Sequence, residues 1–345
     1  MSTPSAERAA VIERLFDGGN LDEQQARQLL MTLTDPGLAP AVAGAILGAL
    51  RVKGVTAAEL RGLAGGLREL AMRPPFAVSE DMIDIVGTGG DGSRSLNIST
   101  GTALLSAACG LPVVKHGNRA ISSRSGSADL LAALGLPMPM DGAMAARCLQ
   151  ETGFTFLFAP FYHPAMRSVA PIRAALATRT VFNILGPLAN PAEPPCHLIG
   201  VYDLELARLM AETLSGMNVR RSFVIRGYDG WDEPTTVGEF HVFDVTPGRV
   251  ESSVRDARDY GFDVARPEQL LGADSAHNAD VLRRSLRGEL PGPYLDCLLL
   301  GAGLALEITG RVADCGAGIA LARRAIADGS AAATLARIEG FAANA

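Results

Sequence analysis

The pattern of apolar and polar positions divides the chain near Pro75. Before that point it is typical of helices alone: one over Ser5–Asp17 ends at a glycine pair, and one over Asp22–Leu33 ends before Asp-Pro-Gly. Thr56-Ala-Ala-Glu59 has the spacing of a capping box and predicts the start of another helix. We therefore expect a small all-helical domain over residues 1–75, whose polar residues give no sign of chemistry.

Beyond Pro75, short apolar runs alternate with helical patterns, which is typical of βα units around a parallel sheet. The predicted strands are Met82–Val86, Leu111–Val114, Phe154–Phe158, His197–Tyr202 and Ser222–Arg226. The predicted helices are Ser99–Cys109, Ser127–Leu134, Asp141–Thr152, Asp203–Leu214 and a series from Ala273 to the C-terminus. The expected fold class is α/β: a small all-helical domain plus a larger α/β domain over 76–345 with a mainly parallel central sheet.

Composition and charge narrow the function classes. The 345 residues are 48% hydrophobic and 20% charged, which fits a compact globular protein. The formal net charge of −6 argues against a nucleic-acid surface, so any phosphate site must be built locally. Weakly polar stretches such as Ala41–Leu50 are far shorter than the ~20 residues of a membrane helix. The absence of a secretory pattern at the N-terminus and the five scattered cysteines, with no C-x-x-C pair, predict a cytoplasmic protein.

A glycine-rich segment, Asp84-Ile-Val-Gly-Thr-Gly-Gly-Asp-Gly92, follows the first predicted strand. Its glycines permit a tight turn that points backbone N–H groups at an anion, and the next helix adds its positive dipole end. No Gly-Lys-Ser/Thr follows, which excludes a P-loop, and the spacing differs from the dinucleotide fingerprint. Taken alone, this glycine loop leaves phosphate binding and a purely structural turn equally open.

The start of the next helix carries further polar groups. Asn97-Ile-Ser-Thr100 places an amide and two hydroxyls where N-cap residues and anion ligands both occur. For one of Ser99 and Thr100, a simple cap is the alternative. Three such residues directly behind a glycine loop exceed what a cap requires and favour an anion site.

A basic cluster, Lys115-His-Gly-Asn-Arg119, follows the second predicted strand and leads into Ser122-Ser-Arg-Ser-Gly-Ser127. In open α/β sheets the ligand crevice lies beyond the carboxyl ends of the strands, so this loop and the glycine loop should face one crevice. Lys115, Arg119 and Arg124 are candidate phosphate ligands. A solvated basic loop is the alternative.

Asp232-Glu233 lies beyond the strand predicted at Ser222–Arg226. Adjacent carboxylates suit Mg²⁺, which binds one or two carboxylates and completes its shell with water and phosphate oxygens. A solvated acidic turn is the commoner role of an isolated Asp-Glu pair, but two phosphate-type loops in the same chain favour the metal.

Five motifs, in this order along the chain, closely resemble the anthranilate phosphoribosyltransferase family. They are Gly87-Thr-Gly-Gly-Asp91, Asn97-Ile-Ser-Thr100, Lys115-His-Gly-Asn-Arg119, Ser125-Gly-Ser-Ala-Asp-Leu-Leu131 and Arg179-Thr-Val-Phe-Asn-Ile-Leu-Gly-Pro-Leu188, and Phe158–Met166 and Asp232-Glu233 are similar to the same family. The resemblance runs to about Ile338 and implies a nucleoside phosphorylase/phosphoribosyltransferase-like fold with an active-site cleft between its two domains. It also implies that the helical domain takes in residues 164–185 and forms a homodimer.

The resemblance implies a ligand set as well. Phosphoribosyl pyrophosphate and anthranilate are the expected substrates and Mg²⁺ the expected cofactor, with no nucleic-acid or membrane partner. The residues expected to bind phosphoribosyl pyrophosphate are Gly87, Gly90, Asp91, Ser95, Asn97, Ser99, Thr100, Lys115 and Ser127. Those expected at anthranilate are Gly87, Asn118, His163 and Arg173, whose guanidinium would face the carboxylate. Those expected at Mg²⁺ are Ser99, Asp232 and Glu233.

Some positions depart from the family's usual pattern. Ala177-Thr178 stands where a glycine followed by an aliphatic residue is commoner, and Arg226 replaces a frequent histidine. Tyr228 and Trp231 make the turn before Asp232 unusual. These departures bear on the loops near the metal, and none removes an expected ligand.

The expected reaction displaces pyrophosphate from the anomeric carbon of ribose. Mg²⁺, Lys115 and backbone donors should stabilise the departing negative charge, and proximity of the neutral amine supplies much of the rest. We expect no covalent intermediate and no essential cysteine. His116 and His163 are weak candidates for a general base: orientation of the loop backbone is favoured for His116, while for His163 pocket lining and proton transfer stay equally open.

Two rival readings remain at this point. A pyrimidine nucleoside phosphorylase shares the fold class, but such chains usually carry an extra C-terminal domain and a different glycine loop. A non-catalytic relative that binds nucleic acid should show a basic face and should lack the metal and substrate residues. This chain is acidic overall and keeps them.

Overall fold

The computed structural model describes residues 4–119 and 124–343. The chain begins with four helices, α1 Pro4–Phe16, α2 Glu23–Leu33, α3 Pro40–Lys53 and α4 Ala57–Glu69. Asp22 and Thr56 cap α2 and α4, each within a complete capping box. The helices predicted for this part of the chain are thereby confirmed. Helix α4 ends at Glu69, and the N–H of the next residue, Leu70, donates to the Gly66 carbonyl of its last turn.

A seven-stranded sheet forms the rest of the framework. Its strands are β1 Ile83–Gly87, β2 Val113–Gly117, β3 Phe154–Phe158, β4 Cys196–Gly200, β5 Arg221–Arg226, β6 Phe240–Thr246 and β7 Arg249–Arg255, in the order β3-β2-β1-β4-β5-β6-β7. The first five run parallel, and β6 and β7 add an antiparallel hairpin at one edge. The predicted α/β class, a small helical domain plus a larger domain with a mainly parallel sheet, is confirmed.

The bounds of two predicted strands need correction, and one hairpin was missed. The strand predicted at His197–Tyr202 is β4 Cys196–Gly200, which ends two residues earlier. The second strand begins at Val113, two residues later than predicted, and runs through Lys115 to Gly117. The hairpin of β6 and β7 was not predicted, although β6 buries four of its seven residues, Phe240, Val242, Phe243 and Val245.

Further helices follow β1, and some of them cover the two faces of the sheet. They are α5 Ile98–Ala108, α6 Ser127–Ala133, α7 Gly142–Thr152, α8 Ala159–Tyr162, α9 Ala170–Leu176, α10 Phe182–Leu185, α11 Leu204–Ser215, α12 Ser275–Leu286, α13 Pro293–Ile308, α14 Cys315–Ala327 and α15 Ser330–Ala343. No helix of the described chain is long and apolar enough to cross a membrane.

Two apolar cores form on the opposite faces of the sheet, because successive strand residues point to opposite sides. Ile83 and Ile85 of β1 pack into one core with α5, α13 and the C-terminal helices. Val86 belongs to the other, which α11 and the N-terminal helices complete. Helices α9 and α10 contact α3 and α4, so the segment after β3 packs on the helical part of the molecule.

The strand order reverses beside β1, which lies between β2 and β4. In open α/β sheets such a switch point leaves a crevice beyond the carboxyl ends of the strands. The glycine loop after β1 therefore lies at the position where this topology favours a ligand.

Candidate active site

The glycine loop and Asp232 form one close-packed unit. The Gly89 N–H donates to Asp232 Oδ2 at 2.6 Å, and the Thr88 N–H donates to the Gly200 carbonyl at 2.9 Å. A Cβ on Gly87 would lie 2.5 Å from Asp232 Oδ2, and one on Gly200 would lie 1.6 Å from the Asp232 carbonyl oxygen. The ends of β1 and β4 thus need glycine because the Asp232 segment crosses directly over them.

Glu233 and Lys115 meet at the start of α5. The Ser99 N–H donates to Glu233 Oε1 at 3.0 Å. Lys115 is fully buried, and its Nζ donates to the Ile85 carbonyl and to Ser99 Oγ, the latter at 3.3 Å. Four segments that are distant in sequence are brought together in this way.

The polar residues of Asn97-Ile-Ser-Thr100 do not act as caps. Asn97 occupies the N-cap position of α5, but its side chain makes no capping bond and instead donates to the Ser125 carbonyl at 3.0 Å. Thr100 Oγ1 donates to Ser127 Oγ at 3.1 Å. The simple-cap alternative for Ser99 or Thr100 is therefore wrong, because Asn97 occupies the N-cap position. The side chains of Asn97 and Thr100 instead tie the start of α5 to Ser125 and to the first residue of α6.

The acidic pair is largely screened from water, with Asp232 buried and Glu233 half-buried, and attraction to Lys115 offsets only part of its negative charge. Burial raises the pKa of Glu233 to about 7, and burial together with repulsion from Asp91 and Glu233 raises the pKa of Asp232 well above its usual range. Burial lowers the pKa of Lys115, opposed by attraction to Asp84, Glu233 and Asp232. A divalent cation would relieve this carboxylate repulsion, and hard oxygen donors suit Mg²⁺.

The number of protein donors agrees with a metal that arrives with phosphate. Within residues 4–119 and 124–343, no three His, Cys, Asp or Glu side chains are grouped to hold a metal ion. Mg²⁺ commonly uses one or two carboxylates and takes its other ligands from substrate phosphates and water. Asp232 and Glu233, with the Ser99 hydroxyl close by, fit that pattern.

The residues of the basic loop after β2 differ in the contacts that they make. Asn118 is exposed, and its Oδ1 accepts the Arg119 N–H at 2.7 Å. Arg119 pairs with Asp129 at 3.0 Å, so its guanidinium already has a carboxylate partner. Arg124 and Ser95 line a cavity of 180 Å³. Ser122 and Ser123 lie outside the described residues.

Arg173 lies on the short helix α9, away from the sheet. It is half-buried, its guanidinium lies 5.5 Å from the Phe182 ring centroid, and burial lowers its pKa. An arginine that is half-desolvated and packed against an aromatic ring is suited to bind a small aromatic carboxylate.

The two histidines proposed as weak base candidates are buried together. The Gly186 carbonyl accepts from His116 Nδ1 at 3.1 Å, and the His116 N–H donates to Asp84 Oδ1 at 3.2 Å. The His116 and His163 rings meet edge to face with centroids 5.1 Å apart. Burial lowers the pKa of His116 to about 3 and also lowers that of His163, so both rings are neutral near pH 7.

Sequence reasoning missed several supporting residues. Asn278 of α12 donates to Asn97 Oδ1 at 3.0 Å, and Tyr294 donates to the Asn97 carbonyl at 3.3 Å. Asn190 donates to Asp84 Oδ2 at 2.8 Å beneath the site. No local pattern marks these residues, because each reaches the site only through the fold. Arg179 is different: it stands inside a motif singled out above, and its Nη2 donates to the Gly90 carbonyl at 2.5 Å.

Comparison with known proteins bears directly on this arrangement. Residues 79–332 match the model of the glycosyl transferase family, a/b domain, and residues 9–71 match that family's helical bundle domain. An anthranilate phosphoribosyltransferase of Methylobacterium sp. is 46% identical over 95% of this chain and 96% of its own length. The chain belongs to the anthranilate phosphoribosyltransferase family.

Solved structures agree with that membership. The crystal structure of the anthranilate phosphoribosyltransferase from Thermus thermophilus matches with a TM-score of 0.90 at 39% identity, over 96% of this chain and 99% of that one. The Saccharomyces cerevisiae enzyme in complex with PRPP and Mg matches with a TM-score of 0.87 over 99% of both chains, at 24% identity. The latter likeness concerns the fold alone.

Tyr228 and Trp231, two of the positions that depart from the family pattern, lie in a defined turn. Asp229 has a φ of 51°, Tyr228 is half-exposed and Trp231 is buried. The Gly227 N–H donates to the Trp231 carbonyl at 2.8 Å, which closes the turn directly before Asp232. The unusual residues therefore leave Asp232 and Glu233 against the glycine loop.

Proposed function

We propose that the chain carries out the reaction of the anthranilate phosphoribosyltransferase family in the crevice beside β1. The phosphoribosyl group passes from phosphoribosyl pyrophosphate to the amine of anthranilate, giving N-(5-phosphoribosyl)anthranilate and pyrophosphate in tryptophan biosynthesis. The observation that carries this assignment is the convergence of Asp232-Glu233, the glycine loop, the start of α5 and Lys115 on one point.

The pyrophosphate end of the donor fits the glycine loop. N–H groups of the loop and the Lys115 ammonium are fixed before substrate arrives, so they stabilise the charge that grows on the leaving pyrophosphate at little cost in reorganisation. We assign donor binding to Gly87, Gly90, Asp91, Ser95, Asn97, Ser99, Thr100, Lys115 and Ser127. Contacts of Asn97 and Thr100 with the loop before α6 support the inclusion of Ser127.

We assign the Mg²⁺ site to Ser99, Asp232 and Glu233. The raised pKa values of the two carboxylates support this, because negative charge that Lys115 offsets only in part favours a divalent cation. Mg²⁺ bound there supplies positive charge that offsets the charge of the pyrophosphate. The protein's own part is to hold both carboxylates in place through the N–H groups of Gly89 and Ser99.

We assign the acceptor site to Gly87, Asn118, His163 and Arg173. The half-buried guanidinium of Arg173 supports recognition of the anthranilate carboxylate, which leaves the amine free to attack. His163 is buried with a lowered pKa, which supports a packing role over proton transfer. His116 orients the backbone through Gly186 and Asp84, and neither histidine is assigned as a base.

We further propose that residues 1–75 and 164–185 act as one helical domain, opposite an α/β domain formed by the rest of the chain. Contacts of α9 with α3 and of α10 with α4 support this division. By analogy with the family we also propose a cytoplasmic homodimer formed through the helical domain. Sedimentation equilibrium would test the dimer, with twice the 36.0 kDa chain mass as the expected result.

Product analysis tests the function itself. Incubation with phosphoribosyl pyrophosphate, anthranilate and Mg²⁺ should give a product with the mass of N-(5-phosphoribosyl)anthranilate together with pyrophosphate in equal amount. A parallel incubation of a pyrimidine nucleoside with inorganic phosphate should give no free base. The reverse pattern would assign the chain to nucleoside phosphorolysis.

A further inference from the structure

Arg179 contacts three separate parts of the molecule. Its Nη2 donates to the Gly90 carbonyl at 2.5 Å, and its guanidinium lies 4.4 Å from the centroid of the Tyr202 ring. Its own backbone carbonyl accepts from Arg51 Nη1 of α3 at 2.5 Å. One residue thereby links the glycine loop, the segment after β4 and the N-terminal helices.

The contact between Arg179 and Gly90 leaves no space for a side chain at position 90. Gly90 has a φ of +82°, and a Cβ built there would lie 2.8 Å from Arg179 Nη2. Any side chain at this position would strain the backbone and displace the guanidinium together. The absence of a side chain at Gly90 therefore serves the contact as well as the turn.

The chain before Arg179 is held in a costly conformation. Ala177 ends α9 with φ 48° and ψ 30°, in the left-handed region that an L-residue enters at a cost of about 1 kcal/mol. This is the position where a glycine is commoner in the family pattern. Such strain persists only where surrounding contacts fix it, and here the Arg51 and Gly90 contacts follow two residues later.

We propose that Arg179 is a positioning residue that holds the glycine loop in its anion-binding conformation and couples that conformation to the placement of α3. The inference rests on the proposed function, because it takes the pyrophosphate-bearing donor as the anion. A loop already held by Arg179 loses less freedom when the donor binds, so the contact strengthens donor binding without touching the acceptor. Tyr202 fixes the plane of the guanidinium, and Arg51 fixes the backbone from which it extends.

The first test separates the two substrates. Loss of a charge-assisted hydrogen bond in Arg179→Ala should raise the KM for phosphoribosyl pyrophosphate by about tenfold. The KM for anthranilate and kcat should change by less than about twofold. Arg179→Lys, which keeps a charged donor but not the planar group, should recover part of the loss. Arg167→Ala, an exposed arginine of the same segment, is the matched control and should leave all three constants unchanged.

The second test observes the loop directly and needs no activity. Hydrogen exchange of the ligand-free protein should be faster in Arg179→Ala at the glycine-loop amides, Gly89 above all, because its N–H is held by Asp232. Tyr202→Phe keeps the aromatic ring and should exchange like the wild type, whereas Tyr202→Leu should resemble Arg179→Ala in both tests. If Arg179→Ala fails to fold, the comparison of Tyr202→Phe with Tyr202→Leu still tests the proposal.

Two outcomes would overturn the proposal. A higher KM for the donor with unchanged loop exchange would show that Arg179 contacts the substrate itself. Unchanged KM and unchanged exchange would show that the contact has no role. An inactive but folded wild-type protein would sink the proposed function instead, and the exchange comparison would still decide whether Arg179 orders the loop.

Discussion

Lys115 is the residue on which the chemistry of the donor site most depends. Only two of the chain's basic residues are lysines, Lys53 and Lys115, and Lys115 is buried beside Ser99 and the carboxylates. A compact ammonium fits where the larger planar guanidinium of arginine would not. In the proposed site, its charge would stabilise the departing pyrophosphate.

Lys115→Met should remove this charge while keeping an unbranched apolar side chain. We expect kcat/KM for the donor to fall by about 100-fold or more, because the loss concerns a preorganised charge at the leaving group. Lys53→Met, the same change beside buried Glu59, should lower the Tm and leave kcat/KM unchanged. Steady-state kinetics and thermal unfolding of both variants measure this, and a small kinetic effect of Lys115→Met would remove Lys115 from the site.

His197 allows a test of the buried polar layer beneath the site. It is fully buried on β4, meets Ser222 Oγ at 3.1 Å, and has its pKa lowered by burial to about 3. The unfolded chain takes up a proton near pH 6.5, but the folded chain does so only near pH 3. Stability from this group is therefore present above pH 6.5 and is lost as the pH falls through that window.

His197→Gln should make unfolding less sensitive to acid. Between pH 6 and 4 the free energy of unfolding of the wild type should fall more steeply than that of the variant, by about 1.4 kcal/mol per pH unit. Urea unfolding at a series of pH values gives both slopes. Parallel slopes would mean that His197 is protonated in the folded protein.

The sequence identifies site residues where a short motif contains the chemical groups of the site. The sequence motifs point to the glycine loop, Lys115 and Asp232-Glu233, and the structure brings these residues together. Asn278 and Tyr294 could not be chosen, because they reach Asn97 from helices almost 200 residues away along the chain. The role of Arg179 was missed because its partner is a backbone carbonyl, which no side-chain pattern reveals.

At the scale of elements, the ends of β1 and β4 decide where the carboxylates proposed to bind Mg²⁺ lie. Gly87 and Gly200 leave the space in which the Asp232 segment crosses the sheet edge. Helix starts were predictable from local chemistry, as the capping boxes at Asp22 and Thr56 illustrate. The β6–β7 hairpin was not, because its outer strand is mostly exposed and carries little apolar signal.

Gly200→Ala should separate the position of Asp232 from the stability of the fold. The added Cβ would meet the Asp232 carbonyl at 1.6 Å, so the segment must move and the Mg²⁺ concentration for half-maximal activity should rise at least about tenfold. Gly65→Ala, in α4 with nothing within 4 Å of its new Cβ, should keep activity and stabilise the protein by about 0.5–1 kcal/mol. Activity titrated with Mg²⁺ compares the two, and an unchanged Mg²⁺ requirement in Gly200→Ala would contradict the assigned metal site.

At the scale of the whole molecule, the site depends on two cores that meet across one sheet. The core with α5 and α13 supports the glycine loop and the start of α5. The core with α11 joins the sheet to the N-terminal helices. The change of hydrophobic pattern near Pro75 predicted a helical part followed by an α/β part, but not the two cores on opposite faces of the sheet. The way in which residues 164–185 return to the N-terminal helices came from the family resemblance, because no local pattern specifies which distant helix a short helix packs on.

The central claim is that one crevice joins anthranilate to the ribose of phosphoribosyl pyrophosphate with the help of Mg²⁺. The most direct measurement is the fluorescence of anthranilate after addition of phosphoribosyl pyrophosphate, first with Mg²⁺ and then with excess EDTA. We predict a steady loss of fluorescence that requires Mg²⁺ and stops on chelation. The loss should be slower in Arg173→Ala and slowed by about 100-fold or more in Lys115→Met. Constant fluorescence with folded wild-type protein over a wide range of Mg²⁺ concentrations would contradict it.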